Sequence, residues 1–263
     1  MLTIAQHVID MTKQHSPVLF ACTMGLHRIV ENDVDSKRVS TDFVGSGVAV
    51  RYNGRTFVVT AHHVVEDCGG PDNVYLAQNE VGGSQDVASF GGQYISPTSN
   101  ADLDIGRYEI DAIQLQNCSI IPYDVGDRDE DYAFPGGSFY VVGGFPASAV
   151  KRRSRRGPFR IGFRTIIALE SDTMLSSHPP DSHLVLKYDQ KNQAKYMHGE
   201  SGTRKGVMPA GMSGCGMYRF SLLPNTEGHY VVRLIAIFTD YDKRLRVLIG
   251  TRLGPLLRAG MLK

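Results

Sequence analysis

The stretch that decides the fold is GVAVRYNGRTFVVTAHHV, residues 47–64. Apolar and β-branched residues dominate Gly45–Tyr52 and Thr56–Thr60, a pattern typical of strands. Between the two runs lies Asn53-Gly54, which favours a tight turn joining antiparallel strands because both residues tolerate a positive φ. We therefore predict a β-hairpin that ends just before two adjacent histidines, His62 and His63.

Short β-rich runs continue along the chain after this hairpin, and one precedes it. They are Val18–Thr23, Phe139–Val142, Arg160–Leu169, His183–Tyr188, Met217–Phe220, Tyr230–Phe238 and Arg246–Ile249. The 28 glycines and 12 prolines fit the many turns that such strands need. Because no long helical pattern separates the runs, they predict a β-sandwich or β-barrel. Helical spacing is confined to the two ends of the chain.

The composition is that of an ordinary globular protein, with 42% hydrophobic and 21% charged residues in 263. A formal net charge of +1 gives no reason to expect nucleic acid or an anionic membrane as a partner. The first residues are too polar for a secretion signal, and no apolar run is long enough for a membrane helix. We expect a soluble cytoplasmic protein with reduced thiols, or a segment of a polyprotein.

The four cysteines lack the paired spacing of a zinc site or a redox motif. His178, His183 and His198 also lack close metal-ligand spacing. The sequence therefore predicts neither a metal nor another cofactor.

Three local motifs carry candidate chemistry, in the order His, Asp, Ser. They are Phe57-Val-Val-Thr-Ala-His-His-Val64, Asn100-Ala-Asp-Leu-Asp-Ile105 and Pro209-Ala-Gly-Met-Ser-Gly214. A serine hydroxyl is a poor nucleophile, so an imidazole must take its proton and a carboxylate must orient that imidazole. A glycine two residues before the serine lets backbone amides point at a developing oxyanion.

In these motifs the chain resembles the trypsin-like, or chymotrypsin-fold, serine proteases. The family's Thr-Ala-x-His matches Thr60-Ala61-x-His63. Its acid followed by alternating apolar residues matches Asp102-Leu103-x-Ile105, and its Gly-x-Ser-Gly matches Gly211-x-Ser213-Gly214. The glycine-rich run Val141–Pro146 also looks like an early strand of the family's second barrel. The resemblance covers roughly residues 17–252.

The resemblance implies an all-β fold of two antiparallel six-stranded β-barrels, with short N- and C-terminal helices. The expected single peptidase domain spans residues 1–263, with a helix at 1–15, a first barrel at about 17–118, a second at about 119–252 and a final helix at about 252–262.

The same resemblance implies a serine endopeptidase that cleaves protein or peptide substrates through an acyl-enzyme. Its triad would be His63, Asp102 and Ser213, and its oxyanion hole the amides of Gly211 and Ser213. Val207 would lie at the floor of the specificity pocket. Phe238, Thr239 and Asp240 would bind substrate as an added strand. The alternative is a catalytically inactive protease-fold module that binds peptides or acts as a scaffold.

Neighbouring residues compete for the first two triad positions. Adjacent strand residues face opposite ways, so only one of His62 and His63 can enter the cleft. The family spacing favours His63. Asp104 competes with Asp102, but Gly106 and Arg107 after it break the apolar alternation that follows Asp102.

Two other residues compete with Ser213. Ser201 also lies in a Gly-x-Ser-Gly, but Thr203-Arg-Lys-Gly follows it rather than a strand and hairpin. Cys215 is the other competitor, because some viral relatives of this fold use a cysteine nucleophile in Gly-x-Cys-Gly. Here the position two residues before Cys215 is occupied by Ser213 instead of the required glycine. An α/β-hydrolase would need glycine at Cys215 and a different triad order.

Two features bear on regulation and specificity. Met212 stands where secreted members have the aspartate of the zymogen switch, so that switch is expected to be absent. Lys151–Arg156 is a basic run in a loop where the family is prone to self-cleavage. Val207 predicts an apolar residue before the cleaved bond, whereas Asp240 or Asp242 could instead select a basic one.

Overall fold

The computed structural model describes residues 4–33, 38–77, 87–96, 103–126, 138–152, 159–191, 193–197, 200–204, 206–222, 230–258 and 260. The helices among these residues are α1 (Ile4–Cys22), α2 (His62–Asp67), α3 (Ala112–Asn117) and α4 (Leu253–Arg258). Short 3₁₀ turns occupy Pro71–Asn73 and Ala147–Ala149. In this described part of the chain, no helix is both long enough and apolar enough to span a membrane.

Strands make up the larger part of the described backbone. The strands, in chain order, are β1 (Thr23–Asp33), β2 (Arg38–Tyr52), β3 (Arg55–Thr60), β4 (Tyr75–Ala77), β5 (Val87–Ser89), β6 (Tyr94–Ile95), β7 (Gly106–Glu109), β8 (Tyr123–Asp124), β9 (Ser138–Gly144), β10 (Val150–Arg152), β11 (Phe159–Ile161), β12 (Arg164–Glu170), β13 (His183–Lys187), β14 (Gln193–Met197), β15 (Glu200–Arg204), β16 (Gly216–Leu222), β17 (Tyr230–Asp242) and β18 (Val247–Arg252).

The N-terminal half forms an eight-stranded sheet in the order β5-β4-β1-β2-β3-β7-β6, with β8 parallel to β2. The predicted hairpin is its centre: β2 and β3 pair from Val48↔Val59 to Tyr52↔Arg55. Asn53 and Gly54 turn with φ of 49° and 75°. β8 carries this sheet to Asp124, beyond the predicted boundary near residue 118.

The C-terminal half closes into a six-stranded barrel in the order β12-β13-β18-β17-β16-β9, where the last strand pairs with the first. Two hairpins, β10-β11 and β14-β15, lie outside it. The predicted all-β, two-barrel, chymotrypsin-like fold is confirmed. One detail differs: within the described residues the first half is a half-barrel sheet of eight strands rather than a closed barrel of six.

The prediction for the N-terminus, a helix over 1–15 followed by a strand over Val18–Thr23, is wrong for residues 18–22. The helix instead runs through Pro17 to Cys22. In a strand Val18, Phe20 and Cys22 would share a face, but Val18 and Phe20 are exposed whereas Leu19 and Cys22 are buried. Short apolar runs do not distinguish helix from strand, and burial of this i, i+3 pair decides the outcome. At the other end α4 occupies Leu253–Arg258, inside the predicted 252–262.

Candidate active site

His63 lies in the first turn of α2, directly after β3 ends at Thr60. His62 and His63 therefore do not face opposite sides of a strand, as predicted from the sequence, because both open a helix and point about 100° apart. The backbone N–H of His63 donates to Asp104 Oδ1 at 2.9 Å, and the ring Nδ1 lies 2.5 Å from Asp104 Oδ2. A carboxylate at Nδ1 favours the tautomer with its proton there, which leaves Nε2 able to accept one.

Among the described residues, Asp104 is the carboxylate that contacts His63, whereas the sequence favoured Asp102 over Asp104 for this position. Asp102 itself lies outside the described residues. Strand β7 begins at Gly106, opposite Thr60 at the end of β3, so the residue two before Gly106 reaches the histidine. The misleading signal was Arg107, which breaks the apolar alternation. Its side chain is buried, and its guanidinium carbon lies 4.8 Å from the centre of the Phe57 ring.

The charges around His63 are mainly negative. The hydrogen bond to Asp104 raises the pKa of His63 above its usual range despite partial burial, and Asp67 and Asp240 add to the effect. Burial opposes ionisation of Asp104, but the hydrogen bonds from the side chain and backbone of His63 lower its pKa overall. The pair therefore favours imidazolium beside carboxylate, the charge state that proton transfer from a serine would create.

His62 takes part in a different set of contacts. Its Nδ1 lies 2.6 Å from the hydroxyl of Tyr94, on whose ring it stacks, and its Nε2 lies 3.6 Å from Glu66. The structure therefore brings His63, and not His62, to the carboxylate of Asp104.

Ser213 lies on the loop that leads into β16, flanked by Gly211 with φ of 84° and Gly214 with φ of 90°. Its hydroxyl donates to the carbonyl of Thr239 at 3.3 Å. Among the described residues, no hydrogen bond joins Ser213 to His63. The N–H groups of Gly211 and Ser213 also donate to no described group, so both are available to a ligand.

Gly45 on β2 brings the histidine and the serine to one junction between the two halves. A Cβ built on Gly45 would lie 2.7 Å from Cγ2 of Val64 and 3.1 Å from the carbonyl oxygen of Ser213. Helix α2 and the loop of Ser213 therefore both pack against Gly45. A side chain at this position would collide with Val64 and crowd the carbonyl of Ser213. The loop is fixed further by Gly214, whose N–H donates to the carbonyl of Phe238.

The rival nucleophiles are placed differently. Cys215 is fully buried, and burial raises the pKa of its thiol well above the usual range, so neither access nor ionisation supports a thiolate. Ser201 lies within β15, where it pairs with Tyr196 of β14 in a hairpin outside the barrel.

The residues predicted to bind substrate have unequal positions. Phe238 is buried, and its N–H and carbonyl are both bonded to the serine loop, so it supports that loop rather than lining the cleft. Thr239 lies at a register shift between β17 and β18, and its carbonyl faces Ser213. Asp240 is exposed, and its charge acts on His63.

Val207 is half-buried against the core of the second barrel, and its carbonyl accepts a hydrogen bond from the Tyr188 hydroxyl at 2.6 Å. Tyr241, which the sequence analysis did not single out, packs on the same core and meets the Tyr188 ring edge-on at 5.8 Å. The only sequence signal for Tyr241 was its place next to Asp240 on β17.

The remaining sequence candidates add no chemistry to this site. The basic run 151–156 lies mostly outside the described residues. No group of three or more potential metal ligands occurs within the part of the chain that the structure describes.

No protein-family model matches the chain, and no curated protein sequence matches it significantly. Solved structures are similar to it. The scabies mite inactivated protease paralogue S-I1 superposes with a TM-score of 0.52 at 11% identity, covering 92% of this chain and 93% of the other. A structure described under the coupled folding and binding of the Sesbania mosaic virus VPg protein gives a TM-score of 0.47 at 11% identity, covering 88% of this chain and 87% of the other. At such low identity the first similarity shows a protease-like fold alone, and the second score is too low to support an argument.

Proposed function

We propose that the protein is a serine endopeptidase that uses His63, Asp104 and Ser213. The observation that carries the proposal is that α2, which holds the His63–Asp104 pair, packs across Gly45 from the loop of Ser213, where the N–H groups of Gly211 and Ser213 donate to no described group. A buried or half-buried imidazole with a carboxylate on Nδ1 is the arrangement that activates a serine hydroxyl.

The reaction would begin when the Ser213 hydroxyl leaves the Thr239 carbonyl by rotation about Cα–Cβ and turns toward His63. Nε2 takes the proton as Oγ attacks the peptide carbonyl carbon, and the amides of Gly211 and Ser213 donate to the resulting oxyanion. His63 then returns the proton to the departing amine, which leaves an acyl ester on Ser213. Water activated by His63 hydrolyses this ester and restores the free serine.

The substrate would bind as an added strand along β17. Pairing of β16 with β17 starts at Gly216↔Ile237, so β16 does not cover the edge of β17 beyond that point. Peptides bind to such edges through main-chain hydrogen bonds. Thr239–Tyr241 is therefore the proposed binding segment.

Apolar residues are the proposed preference immediately before the cleaved bond. Val207 and Tyr241 supply apolar surface beside Tyr188. Asp242 accepts the N–H of Leu245 in the β17-β18 turn, and Asp240 accepts the N–H of Tyr241, so both carboxylates already have local partners. A substrate Lys or Arg buried against Val207 and Tyr241 would meet no counter-charge from these two side chains. A peptide-library profile dominated by Arg or Lys would contradict this preference.

A non-catalytic peptide-binding module is the second candidate. It is favoured by one observation, the Ser213 hydroxyl bonded to Thr239 rather than to His63. Both candidates use the same edge of β17, but only the peptidase needs a reactive serine.

Labelling with a fluorophosphonate separates the two functions. We expect the wild type to be labelled and Ser213→Ala to lose labelling and peptide hydrolysis, by at least about a thousandfold. Ser201→Ala, in the other Gly-x-Ser-Gly, is the matched control and should keep both. A wild type that binds peptide but resists the probe would support the non-catalytic module.

A further inference from the structure

Ser46 on β2 has no exposed surface, and all its polar groups are engaged at the junction of the two halves. Its N–H donates to the carbonyl of Ser213 at 2.8 Å, and its own carbonyl accepts the Thr60 hydroxyl at 2.7 Å. Its hydroxyl donates to the carbonyl of Gly211 at 3.2 Å and accepts the N–H of Phe145 at 3.3 Å. One residue of the first sheet thus binds both ends of the Gly211–Ser213 segment.

The peptide groups of this loop are each held by a partner. The carbonyl of Ala210 accepts the N–H of Ala147, and the carbonyl of Met212 accepts the N–H of Cys215. These two bonds fix the peptide planes whose N–H groups, on Gly211 and Ser213, donate to no group among the described residues. A free N–H on a fixed plane has a fixed direction, which is what an oxyanion hole requires.

The peptide between those two planes joins Gly211 to Met212. Its N–H donates to the carbonyl of Pro209, and its carbonyl is held by the Ser46 hydroxyl. This peptide links the two planes, its rotation would turn the carbonyl of Gly211 toward the cleft, and glycine at 211 offers little steric resistance to such a rotation. The side-chain bond that opposes it comes from Ser46.

We propose that Ser46 is a positioning residue that preforms the oxyanion hole by holding the carbonyl of Gly211 away from the cleft. The inference rests on the proposed peptidase function. Ser46 touches no reacting atom, so its removal should weaken transition-state stabilisation more than substrate binding. The loss should be smaller than that for removing an oxyanion donor itself, which costs about 100- to 1000-fold in kcat.

The kinetic test uses Ser46→Ala in the full chain. We expect kcat to fall about 10- to 100-fold with KM changed less than about threefold, and a peptide aldehyde inhibitor to weaken in parallel with kcat. Ser221→Ala is the matched control, because Ser221 is also buried and bonded through its hydroxyl, to Ser138, but lies away from the loop. It should leave both kinetic constants within about twofold of the wild type.

A second measurement does not depend on activity. Amide hydrogen exchange followed by mass spectrometry should show faster exchange for residues 209–215 in Ser46→Ala, and unchanged exchange in that segment in Ser221→Ala. If Ser46→Ala unfolds, Ser46→Cys replaces it, because the thiol is similar in shape to the hydroxyl but is a weaker hydrogen-bond donor. Ser46→Cys should give smaller changes of the same kind in kcat and in loop exchange. The role of Ser46 would be overturned if hydrogen exchange in the loop were unchanged in Ser46→Ala. It would also be overturned if KM rose by the same factor by which kcat fell. Altered loop exchange in a chain whose wild type resists the fluorophosphonate would overturn only the peptidase function.

Discussion

At the scale of single residues, the His63–Asp104 pair sets the expected acid–base behaviour. Because the hydrogen bond to Asp104 raises the pKa of His63, the base stays protonated to a higher pH than a free histidine would. The ascending limb of kcat/KM should therefore have its midpoint above about 6.5, the ordinary histidine value.

Asp104→Asn should lower this midpoint and reduce kcat by about 10⁴-fold, because an amide can neither fix the tautomer nor stabilise the imidazolium. Asp102→Asn should retain most of the activity. The measurement is the pH profile of kcat/KM for both variants. Loss of activity in Asp102→Asn with retention in Asp104→Asn would restore the assignment made from the sequence.

The sequence singled out His63 and Ser213 because short local motifs surround both, and their catalytic roles stay a prediction. It favoured Asp102 over Asp104 because Arg107 breaks the apolar alternation, and the burial of Arg107 against Phe57 is a contact between strands that the sequence does not reveal. Ser46 was also missed, although it carries a signal: serine between Gly45 and Gly47 inside a strand, where glycine often marks close approach of another backbone. Only the structure shows that the neighbour is the loop of Ser213.

At the scale of elements, the β2-β3 turn depends on backbone conformation alone. Gly54 has φ of 75°, and a Cβ built there would meet no atom within 4 Å. Gly54→Ala should therefore cost about 1 kcal/mol of unfolding free energy through backbone strain. Gly126 offers the matched control, since its added Cβ also meets nothing and its φ is not positive. Urea denaturation should show little change for Gly126→Ala, and equal losses in the two variants would contradict the argument.

Strand β1 carries a buried histidine, His27, whose ring meets the edge of Phe43 at 5.6 Å. Burial lowers the pKa of His27 to about 4, partly opposed by Asp42. The folded state therefore binds a proton on His27 less readily than the unfolded state does. The contribution of neutral His27 to the free energy of unfolding is fully present above about pH 6.5 and is lost as the pH falls toward 4. His63, with a raised pKa, acts in the opposite direction and loses its contribution as the pH rises.

Lowering the pH from 7.5 to 5 should therefore cost about 2 kcal/mol through His27. His27→Leu should show a smaller loss over the same interval. The measurement is urea denaturation of both proteins at the two pH values. Identical pH dependence in the wild type and His27→Leu would show that other groups govern stability here.

At the scale of the whole molecule, the site exists because two halves of the chain meet. The first half supplies His63 on α2, Asp104 just before β7 and Ser46 on β2, and the second half supplies the loop of Ser213 and the edge of β17. Strand patterns and motif order were enough to predict this architecture. They could not predict that the first half remains an eight-stranded half-barrel or that α1 extends to Cys22, since both depend on contacts between distant segments.

Helix α1 belongs to this junction as well. Leu19 is fully buried beside Gly143 on β9. A Cβ built on Gly143 would lie 3.7 Å from the Cβ of Leu19. Sγ of Cys22 lies 3.2 Å from the hydroxyl of Tyr218 on β16. Leu19→Ala should cost about 2–5 kcal/mol by creating a cavity. Val18→Ala, on the exposed side of the same helix, should cost far less in thermal or urea unfolding.

These contacts have a consequence for the order in which the chain is assembled. Cys22 and Tyr218 are 196 residues apart, so α1 leaves the ribosome long before β9 and β16 exist. Closing so long a loop is slow, and the apolar face of α1 must wait for its partner. We expect docking of α1 to come late in folding, so that Leu19→Ala accelerates unfolding while leaving the refolding rate nearly unchanged. During synthesis, the buried face of this helix is accordingly a surface that chaperones can bind until the second barrel forms.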